Sequence, residues 1–73
     1  MQCPICGSVA EDITPPGYDG IGVRCRNCGE FDVSDSTLNE LLRRDVRQRT
    51  HALVKAKELA PAGERPAIPA GCL

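Results

Sequence analysis

Cys3-Pro4-Ile5-Cys6-Gly7 and Cys25-Arg26-Asn27-Cys28-Gly29 place four thiols in two CxxCG pairs, with eighteen residues between Cys6 and Cys25. Two cysteines three positions apart can turn both sulfurs toward one ion, and a second such pair completes a tetrahedron. The chemistry expected is one Zn2+ held by Cys3, Cys6, Cys25 and Cys28. With every position filled by thiolate, no place remains for a water or a substrate, so the ion organises the fold rather than acting as a Lewis acid. Glycine after each pair has a mechanical reason: the chain must turn so that backbone N–H groups face the sulfurs, and glycine accepts positive φ without steric cost.

The competing use of paired cysteines in a short chain is a secreted disulfide framework. Five cysteines is an odd count, the chain opens on Met1-Gln2-Cys3 with no signal-peptide pattern, and no apolar run is long enough to cross a bilayer. The expectation is a metal protein of the reducing cytoplasm, not bound to membranes. Cys72, outside both pairs, has no basic cluster nearby to activate its thiol and reads as an idle exposed cysteine.

Size makes the metal necessary. A chain of 73 residues with one Phe, one Tyr and no Trp cannot bury a large core, and domains this small usually depend on a metal, disulfides or a partner. Val9–Ile13 and Ile21–Cys25 read as strands joined by the turn-rich Thr14-Pro15-Pro16-Gly17-Tyr18-Asp19-Gly20, and Glu30–Ser34 alternates apolar and polar as a third strand. Ser34-Asp35-Ser36-Thr37 offers several helix N-caps, with Thr37 and Glu40 at capping-box spacing. An amphipathic helix is expected from there to Leu59, stopped by Pro61 and Gly63, with Leu38, Leu41, Leu42, Val46, Leu53, Ala56, Leu59 and Ala60 on one side. Asp45 and Arg49 interrupt that stripe, as an i, i+4 ion pair or as a break into two helices. Unbroken, about 24 helical residues would span about 36 Å and overhang a small ribbon. Leu53–Ala60 would then need cover from the tail, through Ile68 and Leu73, or from a second copy.

The fold class expected is thus a small α+β zinc-binding domain: three short antiparallel strands, then one C-terminal helix or two. Residues 1–34 form the metal-binding unit, 35–60 the helical segment, and 61–73 a Pro/Gly-rich extended tail. The first half resembles the zinc ribbons, whose rubredoxin-like knuckles are written CPxCG. Cys3-Pro4-Ile5-Cys6-Gly7 matches that pattern in full, whereas the second knuckle lacks the proline. The resemblance covers residues 3–33 and implies a fold rather than a task, because ribbons serve many functions. Rubredoxins hold iron in such knuckles, but their cores are aromatic-rich and this one cannot be.

Formal charge is −1 overall but unevenly spread: six acids against Arg24 and Arg26 make residues 1–36 carry −4, and six cations against three acids make residues 37–60 carry +3. Arg43, Arg44, Arg47 and Lys55, with His51 between them, form the candidate binding surface on the helix face opposite the apolar stripe. Arg24 and Arg26, flanking Cys25, are expected to offset the charge of the metal site. No Ser or Thr has the His and Asp companions of a nucleophile, and no glycine-rich loop fits a phosphate, so an enzyme is not expected. The function expected is a structural-zinc interaction module binding another macromolecule, a protein ahead of nucleic acid, with self-association through the helix as one form. The alternatives are nucleic-acid binding through the basic face and a thiol-based redox or metal sensor.

Overall fold

The computed structural model describes residues 1–72, the side chain of Cys72 excepted; readings placed on that side chain and on Leu73 lie outside the described residues. Three antiparallel strands, β1 (Ala10–Asp12), β2 (Gly20–Cys25) and β3 (Gly29–Ser34), fall within a residue of the turn signals that bound them. A fourth strand, β4 (Ala67–Ile68), adds in parallel to β3 and makes a mixed sheet of order β1-β2-β3-β4. The sheet is therefore larger than the three strands expected. Asp32 N–H donates to the Pro66 carbonyl at 2.9 Å and Ile68 is buried, so the tail supplies both a ladder bond and a core side chain.

Alternation divides the sheet into two faces. Val23, Cys25, Phe31, Val33 and Ile68 point inward to a core completed by Ile5, Leu41, Ala52, Leu53 and Ala56. On the outer face Arg24 stands in register between Glu11 and Glu30 and pairs with both, at 3.3 and 3.2 Å. Arg65 binds Asp32 at 3.1 Å, which ties the β4 segment to β3 across that same face.

The helical segment is broken in two, α1 (Asp35–Leu41) and α2 (Val46–Leu59). Ser34, still extended at the end of β3, is the N-cap of α1 and accepts from Thr37 N–H. Thr37 thus sits inside the helix and the Thr37–Glu40 capping box does not form; Glu40 faces Arg43 and Arg44 instead. The capping box belongs to α2: Gln48 N–H donates to Asp45 Oδ1 at 2.8 Å and Asp45 N–H to Gln48 Oε1 at 3.3 Å. Asp45 is occupied as a cap, not as the ion-pair partner of Arg49. Two shorter helices leave no overhang, and the whole fold measures 28 × 26 × 23 Å. Leu53, expected to need cover from the tail or from a second copy, is 3 % exposed within its own chain and shares the core with Ile68 of the tail. Among the described residues no helix is long and apolar enough to cross a membrane.

Candidate metal centre

The two knuckles close on each other because β2 and β3 pair from Gly20↔Ser34 to Cys25↔Gly29, while the first knuckle is carried to the same end by β1. Inside the first knuckle Cys3 N–H donates to the Ser8 carbonyl at 2.7 Å and Gly7 N–H to the Cys3 carbonyl at 2.9 Å. These bonds need the chain to reverse at Gly7, whose φ is +78°, and Gly29 repeats the turn with φ +83°. Ile5 N–H faces the Cys3 sulfur at 3.4 Å, as the knuckle geometry requires.

All four sulfurs, of Cys3, Cys6, Cys25 and Cys28, lie within 4.8 Å of one another. Cys6 and Cys25 approach to 3.5 Å, Cys3 and Cys28 to 3.8 Å. A tetrahedron with metal–sulfur bonds of about 2.3 Å has sulfur–sulfur edges of about 3.8 Å, so the cluster has the dimensions of a four-thiolate metal site. Cys3, Cys25 and Cys28 are buried at 2, 3 and 9 % exposure, whereas Cys6 is only half-buried.

As free thiols the four are not equivalent. Burial pushes Cys3 up, and burial with the neighbouring Cys6 and Cys3 sulfurs pushes Cys28 well above the usual thiol range. The Ser8 hydroxyl and backbone N–H bring Cys6 down to about 6, and Asn27 holds that hydroxyl by donating to Ser8 Oγ at 3.2 Å. Ser8 of one knuckle and Asn27 of the other thus act together on the most exposed ligand, a role that no motif announced. An ion binds the thiolates, so near neutral pH it must displace protons from the thiols, those of Cys3 and Cys28 among them. Affinity should therefore fall as pH falls, on the order of tenfold per pH unit for each thiol still protonated. Titration calorimetry in buffers of different ionisation heat should count at least two protons released per ion, since ordinary thiols are protonated near neutral pH.

Of the two arginines expected to offset the charge of the site, Arg24 is engaged elsewhere, with Glu11 and Glu30 on the far face of the sheet. Arg26 is exposed beside Ser8, Val9 and Asn27. Lys57, from α2, brings its ammonium near the second knuckle, 3.8 Å from where a Cβ on Gly29 would stand. Arg49 reaches the first knuckle and donates through Nη1 to the Pro4 carbonyl at 3.2 Å. Its other bonds go to the end of α1: Nε to the carbonyls of Leu41 and Arg44, Nη2 to that of Leu42 at 2.8 Å. A charged side chain on the apolar stripe was the sequence signal for Arg49, but its carbonyl partners are not readable from periodicity.

Of the candidate binding surface, Arg47 and Lys55 lie exposed on α2 with His51 between them. Arg43 and Arg44 fall in the turn before α2 and share Glu40, at 3.6 and 3.8 Å, so the basic row is not one straight helix face. No protein-family model matches the chain, and neither a curated protein nor a solved structure matches it.

Proposed function

We propose that this protein is a non-catalytic zinc module in which one Zn2+ on Cys3, Cys6, Cys25 and Cys28 organises the fold and the outer face of α2 engages another protein. Zinc suits the centre because a buried set of four thiolates at tetrahedral spacing satisfies a d10 ion that asks for no particular ligand field. Its work is structural, since a closed coordination shell offers nothing to a substrate. The observation that carries the interaction reading is the exposure of aliphatic side chains beside the cations: Leu42 at 50 %, Val46 at 58 % and Val54 at 47 %. Val46 and Val54 stand exposed on the outside of one helix, and grouped exposed apolar side chains mark interaction sites. Leu53, the residue that first suggested association, is not part of this surface.

A second reading, nucleic-acid binding through Arg43, Arg44, Arg47 and Lys55, is favoured by the +3 charge of residues 37–60. One experiment separates the two. Metal-loaded, isotope-labelled protein is titrated with short duplex and single-stranded nucleic acids at low and physiological salt, following amide shifts. The protein-binding reading expects no saturable shifts over residues 43–55 at physiological salt. Saturable shifts there that weaken steeply with salt would replace it with the nucleic-acid reading. Native mass spectrometry of the same sample should show one zinc per chain, and iron in its place would remove the structural-zinc assignment.

A further inference from the structure

We propose that the outer face of α2 recognises an acidic amphipathic segment of its protein partner, with aliphatic side chains seated along Val46, Thr50 and Val54 and carboxylates on Arg47 and Lys57. The proposal rests on the protein-binding reading and specifies the chemistry of the partner.

The face follows from the helix geometry. Ala52, Leu53 and Ala56 are buried and set the inward side of α2, and at 100° per residue Val46, Thr50 and Val54 stack one turn above another on the outside. Thr50 stands in this row with its hydroxyl proton donated to the Val46 carbonyl at 2.8 Å. Leu42, half exposed, lies before the helix beside Leu38, Arg49 and the first knuckle, outside this row. Such a row, three to four residues apart, is what one side of a partner helix or strand can cover.

Charge sets the partner's other property. Among the described residues, Arg47 and Lys57 have no carboxylate within ion-pair distance. The acids nearby are already engaged or outnumbered: Asp45 is spent as the cap of α2 and Glu40 is shared by Arg43 and Arg44, which leaves Glu58 alone on the helix. A partner carrying carboxylates beside its aliphatic residues would neutralise these cations while it dries the row between them. A sugar–phosphate backbone would satisfy the cations but cover the valines without apolar gain. The face also has no aromatic ring on which a base could stack, since the one Phe is buried in the core and the one Tyr lies in the β1–β2 loop. A second copy is the remaining occupant, because the exposed Val9 beside Glu11 and Asp12 has related chemistry, but that pairing is head-to-tail and would propagate rather than close.

The test uses the full chain loaded with zinc and a short helical peptide with leucines on one side flanked by glutamates. Controls are the same peptide with every Glu replaced by Gln, and duplex DNA. The expected result is micromolar binding that weakens with salt, with amide shifts centred on Val46, Arg47, Thr50, Val54 and Lys57. Val54→Glu, at an exposed position that should leave the melt unchanged, should weaken binding roughly tenfold. Arg47→Glu combined with Lys57→Glu should lose the acidic peptide and gain one in which lysines replace the glutamates. Equal binding of the Gln peptide on the same face would overturn the acidic chemistry and leave the protein-binding reading standing. Absence of all peptide binding with salt-sensitive DNA binding would overturn both. Concentration-dependent shifts of the protein alone, with faster sedimentation, would assign the face to a second copy and overturn the proposal.

Discussion

Removing the metal with a strong chelator should unfold the helices together with the knuckles, in a single transition seen by far-ultraviolet circular dichroism. The core explains why. Its largest fully buried side chains are Phe31, Ile5, Leu41, Val23 and Val33. Ile5 lies between two ligands, Val23 two residues before a third and Phe31 three residues after the fourth. An ion that fixes the sulfurs would thus also fix the residues on which α1 and α2 pack. Structural zinc contributes on the order of 10 to 16 kcal/mol near neutral pH, as much as the whole stability of an ordinary small domain. Without the ion, this chain has too little apolar surface to hold residues 1–34 together, and Leu41, Leu53 and Ala56 lose the wall they are buried against. Cys3→Ser should have the same outcome at physiological zinc. A melt unchanged by the chelator would show that the sheet and helices stand without the metal.

Arg49→Ala should lower stability by about 3 kcal/mol, since charged donors to backbone carbonyls contribute roughly 1.5 to 3 kcal/mol each and the partly exposed ones less. That loss corresponds to a fall in melting temperature of roughly 12 to 24 °C for a domain of this size. The guanidinium spans the carbonyls of Leu41, Leu42 and Arg44 at the α1–α2 turn and that of Pro4 in the first knuckle. Arg49→Lys should rescue only a minor part, because a single ammonium cannot serve carbonyls that diverge around a planar fork. Metal binding here is also folding, so the alanine variant should show an apparent zinc affinity weaker on the order of 100-fold. An unchanged melt and unchanged affinity would show that the turn and the knuckle are held by other contacts. Titration calorimetry of wild type and variant, with matched thermal melts, decides it.

The different readability of the parts has a physical cause. The knuckles were legible because their geometry is local: two sulfurs three residues apart and a glycine beyond them already describe the turn that Gly7 and Gly29 make at φ +78° and +83°. The three antiparallel strands were legible because turn residues bound them and alternation marks their faces. β4 was not, since Ala67–Ile68 is two residues framed by Pro66 and Pro69 and becomes a strand only when β3 presents its edge. The α1–α2 break sat between two readings, because Asp45 and Arg49 at i, i+4 suit an ion pair on a continuous helix as well as a cap and a clamp at a break. Reading the segment as one helix also placed Arg43 and Arg44 on a face that belongs only to Arg47, His51 and Lys55.

By itself the sequence determined which four cysteines could hold an ion and the polarity of charge along the chain, because each depends on residue type and short-range spacing. Tertiary structure alone decided where the helix breaks, that the tail completes the sheet, and which aliphatic residues remain outside. Those outcomes turn on long-range partners, such as Pro4 for Arg49 and Val33 for Ile68, and no local pattern encodes which distant carbonyl or strand edge will be there to meet them.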